Sequence, residues 1–481
     1  MNQHQLYING EYVESTSNEW IDIINPSTEE VISRTPKGTE EDVEKAVNAA
    51  FEAQKEWEKV PSNERGKIVR KLGDKIQENR EKFIDLLIEE QGKPQDQAAD
   101  EIDTAIEYFY YMSEWGRRIE GEIVPSDRPN ENILIYKKPI GVVAGIVPWN
   151  FPVFILARKV ATALIAGCSI VLKPSQQTPN TAVEFTRLVH EIDGLPKGTY
   201  NLLTGTGSTL GNALASHPKV AIITMTGSVG AGTKVMEAAA QNITKVNLEL
   251  GGKAPAIVTE NADLDLAVKH IMTSRLTNSG QACTNAERVY VQESIAEEFT
   301  QKMKNAMEKA RAGNPNEEQN LDLGPLISQD RLDTIHSMVE KAKEEGAEIA
   351  YGGKPVDREK GYFYEPTLIA NAKQTMTVVK EEIFGPVIPV VTYKTIEEAI
   401  ELSNDTEYGL SSSIYTENYH EAMKAVNGLK FGETFVNREN FEAMQGYHAG
   451  LRKSGLGGAD GKNGLNDFLV THTVYMQYKD E

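Results

Sequence analysis

The sequence predicts an α/β protein built from two parallel-sheet domains and a small β-element. Three observations predict it. The chain is 481 residues long, too long for one small core, so two or three domains are expected. Apolar strand-like runs alternate with helix-period stretches from Ile140 to about Val258, and a second alternating set follows Glu249. Two short strand-like stretches after Gly121 and an alternating C-terminal tail fall outside both sets.

Taken in order, residues 6–12 with an Asn9-Gly10 turn read as a hairpin, and Asn25-Pro26 marks a second turn. Thr39-Glu-Glu-Asp42 has the form of a helix-start box. Val43, Ala46, Val47, Ala50, Phe51 and Trp57 follow at helical spacing. Amphipathic helices are expected around 68–76 and 83–88, with their stripes as core. Residues 108–115 lie on another helix, whose aromatics read as packing or as the wall of a small apolar tunnel. Strands at 122–124 and 132–136 are joined by S-D-R-P-N, and their edges need a partner. The first alternating set places strands at 140–147, 169–172, 200–203, 220–225 and 246–250. Its helices fall at 155–165, 181–192, 210–215 and 233–240. That pattern implies a parallel sheet covered on both faces, with ligands at the carboxyl ends of its strands. The second set places helices at 264–274, 295–312, 331–345, 396–403 and 419–426, and strands at 288–292, 347–351, 387–393, 413–415 and 433–436. The tail, 468–478, reads as a strand able to pair with the earlier two-stranded excursion.

Composition is ordinary for a globular protein, at 40% hydrophobic and 25% charged. A net charge of −21 argues against a nucleic-acid or anionic-membrane partner. The N-terminus has no basic-then-apolar leader. Its apolar runs fall far short of the ~20 residues that span a bilayer. Two cysteines argue against a disulfide framework and for a reducing cytoplasm. No His/Cys/Asp cluster has metal-ligand spacing, so no metal site is expected.

Glu249 ends a strand before a Gly-Gly turn, and Cys283 follows behind a Gly-Gln-Ala loop. A thiol and a carboxylate base brought together by the fold are what covalent catalysis needs. Pairing Cys283 with a histidine is the other use, and His448 is the one in a Gly-rich, polar stretch. Cys168, before an apolar strand, reads as a small buried hydrophobe. Gly205-Thr-Gly207 with Gly211 is close to a dinucleotide fingerprint but misspaced, and a plain tight turn fits it as well. Gly227-Ser-Val-Gly230-Ala-Gly232 follows a strand and opens a helix, where backbone N–H groups can hold a pyrophosphate. Lys173 ends a strand, as a solvated charge or as a contact to a ribose or phosphate.

Together these residues resemble the NAD(P)-dependent aldehyde dehydrogenase superfamily. The motifs are P-W-N-F-P at 148–152, T-G-S at 226–228, L-E-L-G-G-K at 248–253, G-Q-A-C at 280–283 and E-I-F-G-P at 382–386, in order over essentially the whole chain. M-S-E-W at 112–115, V-N-R-E-N-F-E-A-M-Q-G at 436–446 and R-K-S-G-L-G-G-A-D-G-K at 452–462 are similar to its bacterial lactaldehyde/glycolaldehyde branch. The resemblance implies a Rossmann-like cofactor domain (1–120 and 140–248, with part of 440–465) and a catalytic domain (249–438). It also implies an oligomerisation β-element (121–139 and 466–481) that builds a homotetramer. By the same resemblance Cys283 attacks the aldehyde carbon, and the Asn150 amide and the Cys283 backbone N–H receive the oxyanion. Hydride passes to the nicotinamide, and Glu249 activates the water that hydrolyses the thioester. Glu382 and Phe384 match the residues that position the nicotinamide ribose and ring. Ile146, Val147, Pro148, Trp149, Lys173, Ser175, Gln176, Gly207, Gly211, Thr226, Gly227, Ser228 and Leu250 match the cofactor's surroundings.

The departures from that pattern carry information. Gln176 stands where many NAD-preferring members have Glu, and a neutral amide does not repel a 2′-phosphate, so NAD is expected with NADP admitted. Arg158 replaces a common aromatic. Facing the tunnel, a guanidinium favours an oxygen-rich aldehyde; the alternative is a salt bridge between domains. Arg158, Thr284, Tyr447 and His448 are the candidate substrate contacts. Asp460 sits where some relatives have a Glu that passes protons to the base. The expected reaction is oxidation of a small hydroxyaldehyde to its acid. A CoA-acylating variant is disfavoured by the presence of Glu249. A non-catalytic, crystallin-like role is disfavoured by Cys283, Glu249 and Asn150 together.

Overall fold

The structure, a computed structural model, describes residues 2–479. Its first large sheet has the spatial order Gly455–Leu456, Lys245–Glu249, Val220–Thr226, Val142–Ile146, Ile170–Lys173, Tyr200–Leu202, Leu6–Ile8, Glu11–Val13. The five strands from Lys245–Glu249 to Tyr200–Leu202 run parallel, and the N-terminal hairpin and Gly455–Leu456 add antiparallel edges. These five read as near-continuous apolar runs because both faces are covered. Val143 packs into one core with the helices Ser62–Glu78, Gln95–Ser113 and Pro152–Ala166, while its neighbours Val142 and Ala144 enter a second core beneath the helix Glu40–Trp57. Strand order reverses at Val142–Ile146, and open α/β sheets bind ligands at such a reversal, beyond the carboxyl ends of the strands.

The second large sheet runs Glu348–Tyr351, Thr367–Ala370, Val387–Tyr393, Ala286–Gln292, Ala254–Val258, Ser411–Tyr415, Glu433–Val436, parallel except at its first edge. Ala254–Val258 begins directly after the Leu250-Gly-Gly-Lys253 turn that leaves Lys245–Glu249. The carboxyl edge of the first sheet therefore meets the amino edge of the second. Glycine is required in this turn by close approach. A Cβ at Gly252 would lie 2.4 Å from the Cys283 carbonyl oxygen, and one at Gly251 2.4 Å from a Glu382 carboxylate oxygen.

A third sheet holds Glu122–Pro125, Glu131–Pro139 and Leu469–Gln477. The C-terminal strand pairs antiparallel with Glu131–Pro139 from Leu469↔Pro139 to Gln477↔Glu131, as its alternation predicts. Thr39 and Asp42 form the expected capping box of Glu40–Trp57. Four elements differ from expectation. Thr367–Ala370 fills a place in the second sheet, Trp20–Ile24 and Val31–Pro36 pair in a separate small sheet, and the turn Gly207–Gly211 is already helical before Asn212–Ala215. No helix among the described residues is long and apolar enough to cross a membrane.

Candidate active site

The loop after Val142–Ile146 carries Asn150, and Pro152 at the first turn starts the buried helix Pro152–Ala166. The Asn150 backbone is fixed from two sides. Its carbonyl accepts from Lys93 Nζ at 3.0 Å and from Asn278 Nδ2 at 2.9 Å. Its side-chain amide donates one N–H to the Gln281 carbonyl at 3.0 Å, which leaves the second N–H for another acceptor. Cys283 follows three consecutive left-handed residues, Asn278 (φ 53°), Ser279 (φ 56°) and Gly280 (φ 77°). Such strain persists only where surroundings enforce it. Here a Cβ at position 280 would sit 2.2 Å from the Gly385 carbonyl oxygen.

Asn150, Arg158, Cys283, Thr284, Phe441 and Glu442 line one end of a cavity of about 1100 Å³. The helix Gln95–Ser113 walls its mouth, through Asp96, Gln97, Asp100 and Thr104 rather than through the aromatics at its far end. Tyr108, one of those aromatics, is buried against Phe154 at 5.9 Å.

The charges around Cys283 are paired with one another. Arg158 donates through Nε and a terminal nitrogen to both oxygens of Asp460 (2.9 and 2.5 Å) and to Glu442 (2.8 Å). Arg158 is thus at once a cavity wall and the centre of a buried ion-pair cluster. Asp460 spends both carboxylate oxygens on it. His448, buried at 2% exposure, pairs through Nδ1 with Glu433 at 2.9 Å and lies beside the Cys283 thiol. Burial and Arg158 disfavour its charged form, yet Glu442, Cys283 and Glu433 raise it well above the usual histidine value. Burial pushes the Cys283 thiol up, and the neighbouring imidazolium opposes that. Tyr447 is more than a third exposed and is not on the cavity wall.

Glu249 sits at the end of its strand, 3% exposed, and accepts from Thr226 Oγ1 at 2.9 Å. Burial alone would raise its pKa, but Lys159, Arg158 and His448 hold it below the usual carboxylate value. His448 and Arg158 thus act electrostatically on Glu249 while standing next to Cys283. The carboxylate itself faces the first sheet rather than the cavity.

The sequence-predicted cofactor residues gather at the carboxyl edge of the first sheet. Ile146 and Val147 are buried at a strand end, with Pro148 and Trp149 half-buried beyond them. Trp149 meets Phe384 edge-on at 5.5 Å. Lys173 is buried, makes no ion pair among the described residues and donates only to the Pro174 carbonyl at 3.0 Å. Burial drives its pKa down to about 8. Ser175 is half-buried and Gln176 exposed just past it. Thr226 is buried, and the Gly227 N–H donates to the Glu249 carbonyl at 3.0 Å. Ser228 caps the helix Val229–Ala239. Gly207 is exposed, Gly211 lies buried near Ile146, and Leu250 packs against Gly232. A buried amine lacking a counter-ion, beside an open helix start, suits the hydroxyls and phosphates of a dinucleotide. Glu382 accepts from the Gly252 N–H at 2.8 Å. No group of three potential metal ligands occurs among the described residues.

Sequence reasoning missed Lys93, Glu101, Glu433 and Glu442. Glu442 lies inside the stretch 436–446 that carried the resemblance, so its position was marked but not its contact with Arg158. Glu101 carried no signal, because a lone charge on an amphipathic helix reads as a solvated face, and neither did Lys93, a charge in the short connection between two helices.

The family described as "Aldehyde dehydrogenase family" matches residues 12–474. The chain is 54% identical to lactaldehyde dehydrogenase of Escherichia coli (strain K12), covering 99% of each. It is 40% identical to D-glyceraldehyde dehydrogenase (NADP(+)) of Thermoplasma acidophilum, covering 98% of this chain and 96% of that one. A crystal structure of the Escherichia coli lactaldehyde dehydrogenase superimposes with a TM-score of 0.97 over 99% of both chains. Betaine aldehyde dehydrogenase from Staphylococcus aureus in complex with NAD+ does so with a TM-score of 0.97 at 37% identity, over 99% of this chain and 96% of that one. The chain belongs to the aldehyde dehydrogenase family and is an NAD(P)-dependent oxidoreductase acting on aldehydes.

Proposed function

We propose that this enzyme oxidises a small hydroxyaldehyde, such as lactaldehyde or glycolaldehyde, to its carboxylic acid, with NAD as cofactor and NADP as the alternative. The observation that carries this reading is the polar cavity wall beside Cys283, made of Arg158 and Glu442, with His448 outside the wall and against the thiol. An alkyl chain placed there would desolvate charged groups without pairing them, whereas a hydroxyl can donate to Glu442. The aldehydes for which two relatives are named, lactaldehyde and glyceraldehyde, both carry a hydroxyl beside the aldehyde.

In this reading the Cys283 thiol first gives its proton to solvent water in the cavity, the thiolate being favoured by the imidazolium of His448, and the sulfur then bonds to the carbonyl carbon as the carbonyl π pair moves onto its oxygen. The free N–H of Asn150 and the Cys283 N–H receive the oxyanion. NAD, when bound, would supply the acceptor for the hydride that the same carbon must lose as the oxyanion collapses. The product on the sulfur is a thioester, and Glu249 takes a proton from the water that attacks it. Its carboxylate faces the first sheet, so the water approaches from that side rather than from the cavity. Lys173 and Ser228 would hold the cofactor's hydroxyls and phosphates, and Glu382 its nicotinamide ribose. Arg158 acts as the fixed frame of the substrate wall, with Asp460 as its counter-ion rather than a free proton carrier. Thr284 lines the wall, and Tyr447, away from it, has no part in this reading.

The division into a cofactor domain (1–120 and 140–248), a catalytic domain (249–438) and an oligomerising β-element (121–139 and 466–481) belongs to the same proposal, as does a homotetramer in the cytoplasm. Support comes from the third sheet, where Ile123, Tyr136, Tyr475 and Met476 are exposed, and from two unpaired cysteines.

A panel of aldehydes assayed with NAD and NADP separately tests the reading. The Arg158→Leu/Asp460→Asn pair, chosen so that Asp460 is not left as a buried charge while Glu442 keeps the nearby His448 charge, should raise KM for glycolaldehyde and lactaldehyde more than for propanal. Equal effects on all three would sink the hydroxyl assignment.

A further inference from the structure

Glu287 is a fully enclosed carboxylate that the reaction above does not use. It lies on Ala286–Gln292, just past the Cys283 loop, and its side chain is 1% exposed. Its two oxygens take four donors. Oε2 accepts from Lys253 Nζ at 2.8 Å and from the Ile383 N–H at 3.0 Å. Oε1 accepts from Arg275 at 2.7 Å and from the Phe384 N–H at 3.0 Å. Lys253 and Arg275 are themselves 0% exposed. Lys253 closes the turn that follows Glu249, and its Nζ also donates to the Val378 carbonyl at 2.9 Å. One carboxylate thus joins the segment of the base, the segment of the nucleophile and the loop that carries Glu382 and Phe384.

That loop needs such a brace. Phe384 has φ 51°, a left-handed conformation that is strained for a non-glycine residue. Glu287 grips the amides of Ile383 and Phe384 on the near side, and Arg331 donates to the Ile383 carbonyl from the far side. Held this way, the loop presents Glu382 to the Gly252 N–H and the Phe384 ring to Trp149.

We propose that Glu287 is a positioning residue for the cofactor: it holds the 382–384 loop in its strained form and fixes Glu382 where the nicotinamide ribose binds. This rests on the cofactor reading above. Glu287 also acts by charge. Burial disfavours its ionised form, but Arg275 and Lys253 outweigh that and hold it at about 2, so it is anionic at every working pH. Burial and this nearby anion push Glu382 up to about 7, against the opposing influence of Arg331 and Lys253. Tyr408 and the Cys283 thiol also feel the Glu382 charge. A ribose hydroxyl binds a carboxylate more strongly than a carboxylic acid. NAD should therefore bind more tightly as pH rises through about 7.

The test is NAD affinity, measured by quenching of tryptophan fluorescence without aldehyde, from pH 5.5 to 9. Glu287→Gln replaces one acceptor oxygen by an amide that faces a backbone N–H. Leaving that buried donor unpaired should weaken NAD binding roughly tenfold or more. Removing the anion should also move the pH midpoint lower by about one unit. The Lys253→Met/Glu287→Gln pair keeps the net charge of the cluster and, if the single variant folds poorly, should show the same loss of affinity with a smaller downward shift of the midpoint, because Lys253 opposes Glu287 at Glu382. In a Glu382→Gln background the pH midpoint should vanish, and Glu287→Gln should add no pH effect. A substitution that only loosened the fold would lower the active fraction and leave the affinity and midpoint of the folded protein unchanged; that result overturns the inference. If the wild-type protein itself bound no NAD, the cofactor reading would fail instead.

Discussion

Glu249 is ionised although it is enclosed, because Lys159, Arg158 and His448 outweigh the cost of burial. Lys159 is itself buried, donates to Thr224 at 3.0 Å and is driven down to about 8. A base held low is fully deprotonated at neutral pH but a weaker proton acceptor. Its activity should therefore persist as pH falls and be lost only below the ordinary carboxylate value. Removing a neighbouring cation raises a carboxylate's pKa. Lys159→Met should accordingly shift the acid limb of the kcat–pH profile upward. A limb that stayed in place would mean that Glu249 is not the base seen by kcat.

At the scale of elements, the helix Pro152–Ala166 has no side-chain cap of its own, because Phe151 stands at its N-cap. Glu101 supplies one from the helix Gln95–Ser113, accepting from the Val153 N–H at 2.9 Å and the Phe154 N–H at 3.2 Å. Its other oxygen pairs with Lys93, whose ammonium also stands 3.8 Å over the Phe151 ring. Both side chains are 0% exposed. Breaking such a pair by removing one partner strands the other charge and costs about 3–5 kcal/mol. We expect Lys93→Met to lower the thermal midpoint by several degrees and to reduce kcat through the Asn150 carbonyl it holds. Lys93→Met with Glu101→Gln, which strands no charge, should recover much of the midpoint but not kcat. Recovery of both would show that the pair serves stability alone.

For the whole molecule, the buried pairs set how stability depends on pH. Glu287 and Glu442 are each held at about 2 by cations that outweigh burial. Their contribution is fully present above the unfolded carboxylate value of 4.5 and is lost as pH falls toward about 2. His448 has the opposite sign. Its pKa is raised well above 6.5, so its contribution is present below that value and is lost as pH rises through the raised one. The thermal midpoint should therefore fall on both sides of neutrality. His448→Gln should flatten the alkaline side and, because its charge helps to hold Glu442 and Glu249 low, also weaken the acid-side dependence; an unchanged alkaline slope would remove His448 from this account.

The same scale shows what the sequence makes legible. Fully covered parallel strands such as Val142–Ile146 and Val387–Tyr393 are apolar throughout and stand out from their surroundings. Thr367–Ala370 does not, being four residues between Pro366 and Asn371 with no alternation to distinguish it. In Val31–Pro36, Ser33 and Thr35 are the buried face, so the usual apolar alternation is missing. Cys283, Glu249 and Asn150 were nameable because each stands in a short motif. Glu287, Glu101 and Lys93 were not, because only the tertiary fold removes the water around them and supplies their partners. Arg158 admitted a substrate contact or a salt bridge, and the fold places it on the cavity wall and in an ion pair at once.

The central claim is that Cys283 carries the acyl group and that Glu249 is needed to release it. A single-turnover experiment on Glu249→Gln with glycolaldehyde and NAD tests it most directly, following NADH by stopped flow and the protein by mass spectrometry. We expect a burst of about one NADH per subunit, an acyl adduct on Cys283 and steady turnover reduced about 10²–10⁴-fold. Steady turnover at the wild-type rate, or an adduct on any other residue, would contradict the account.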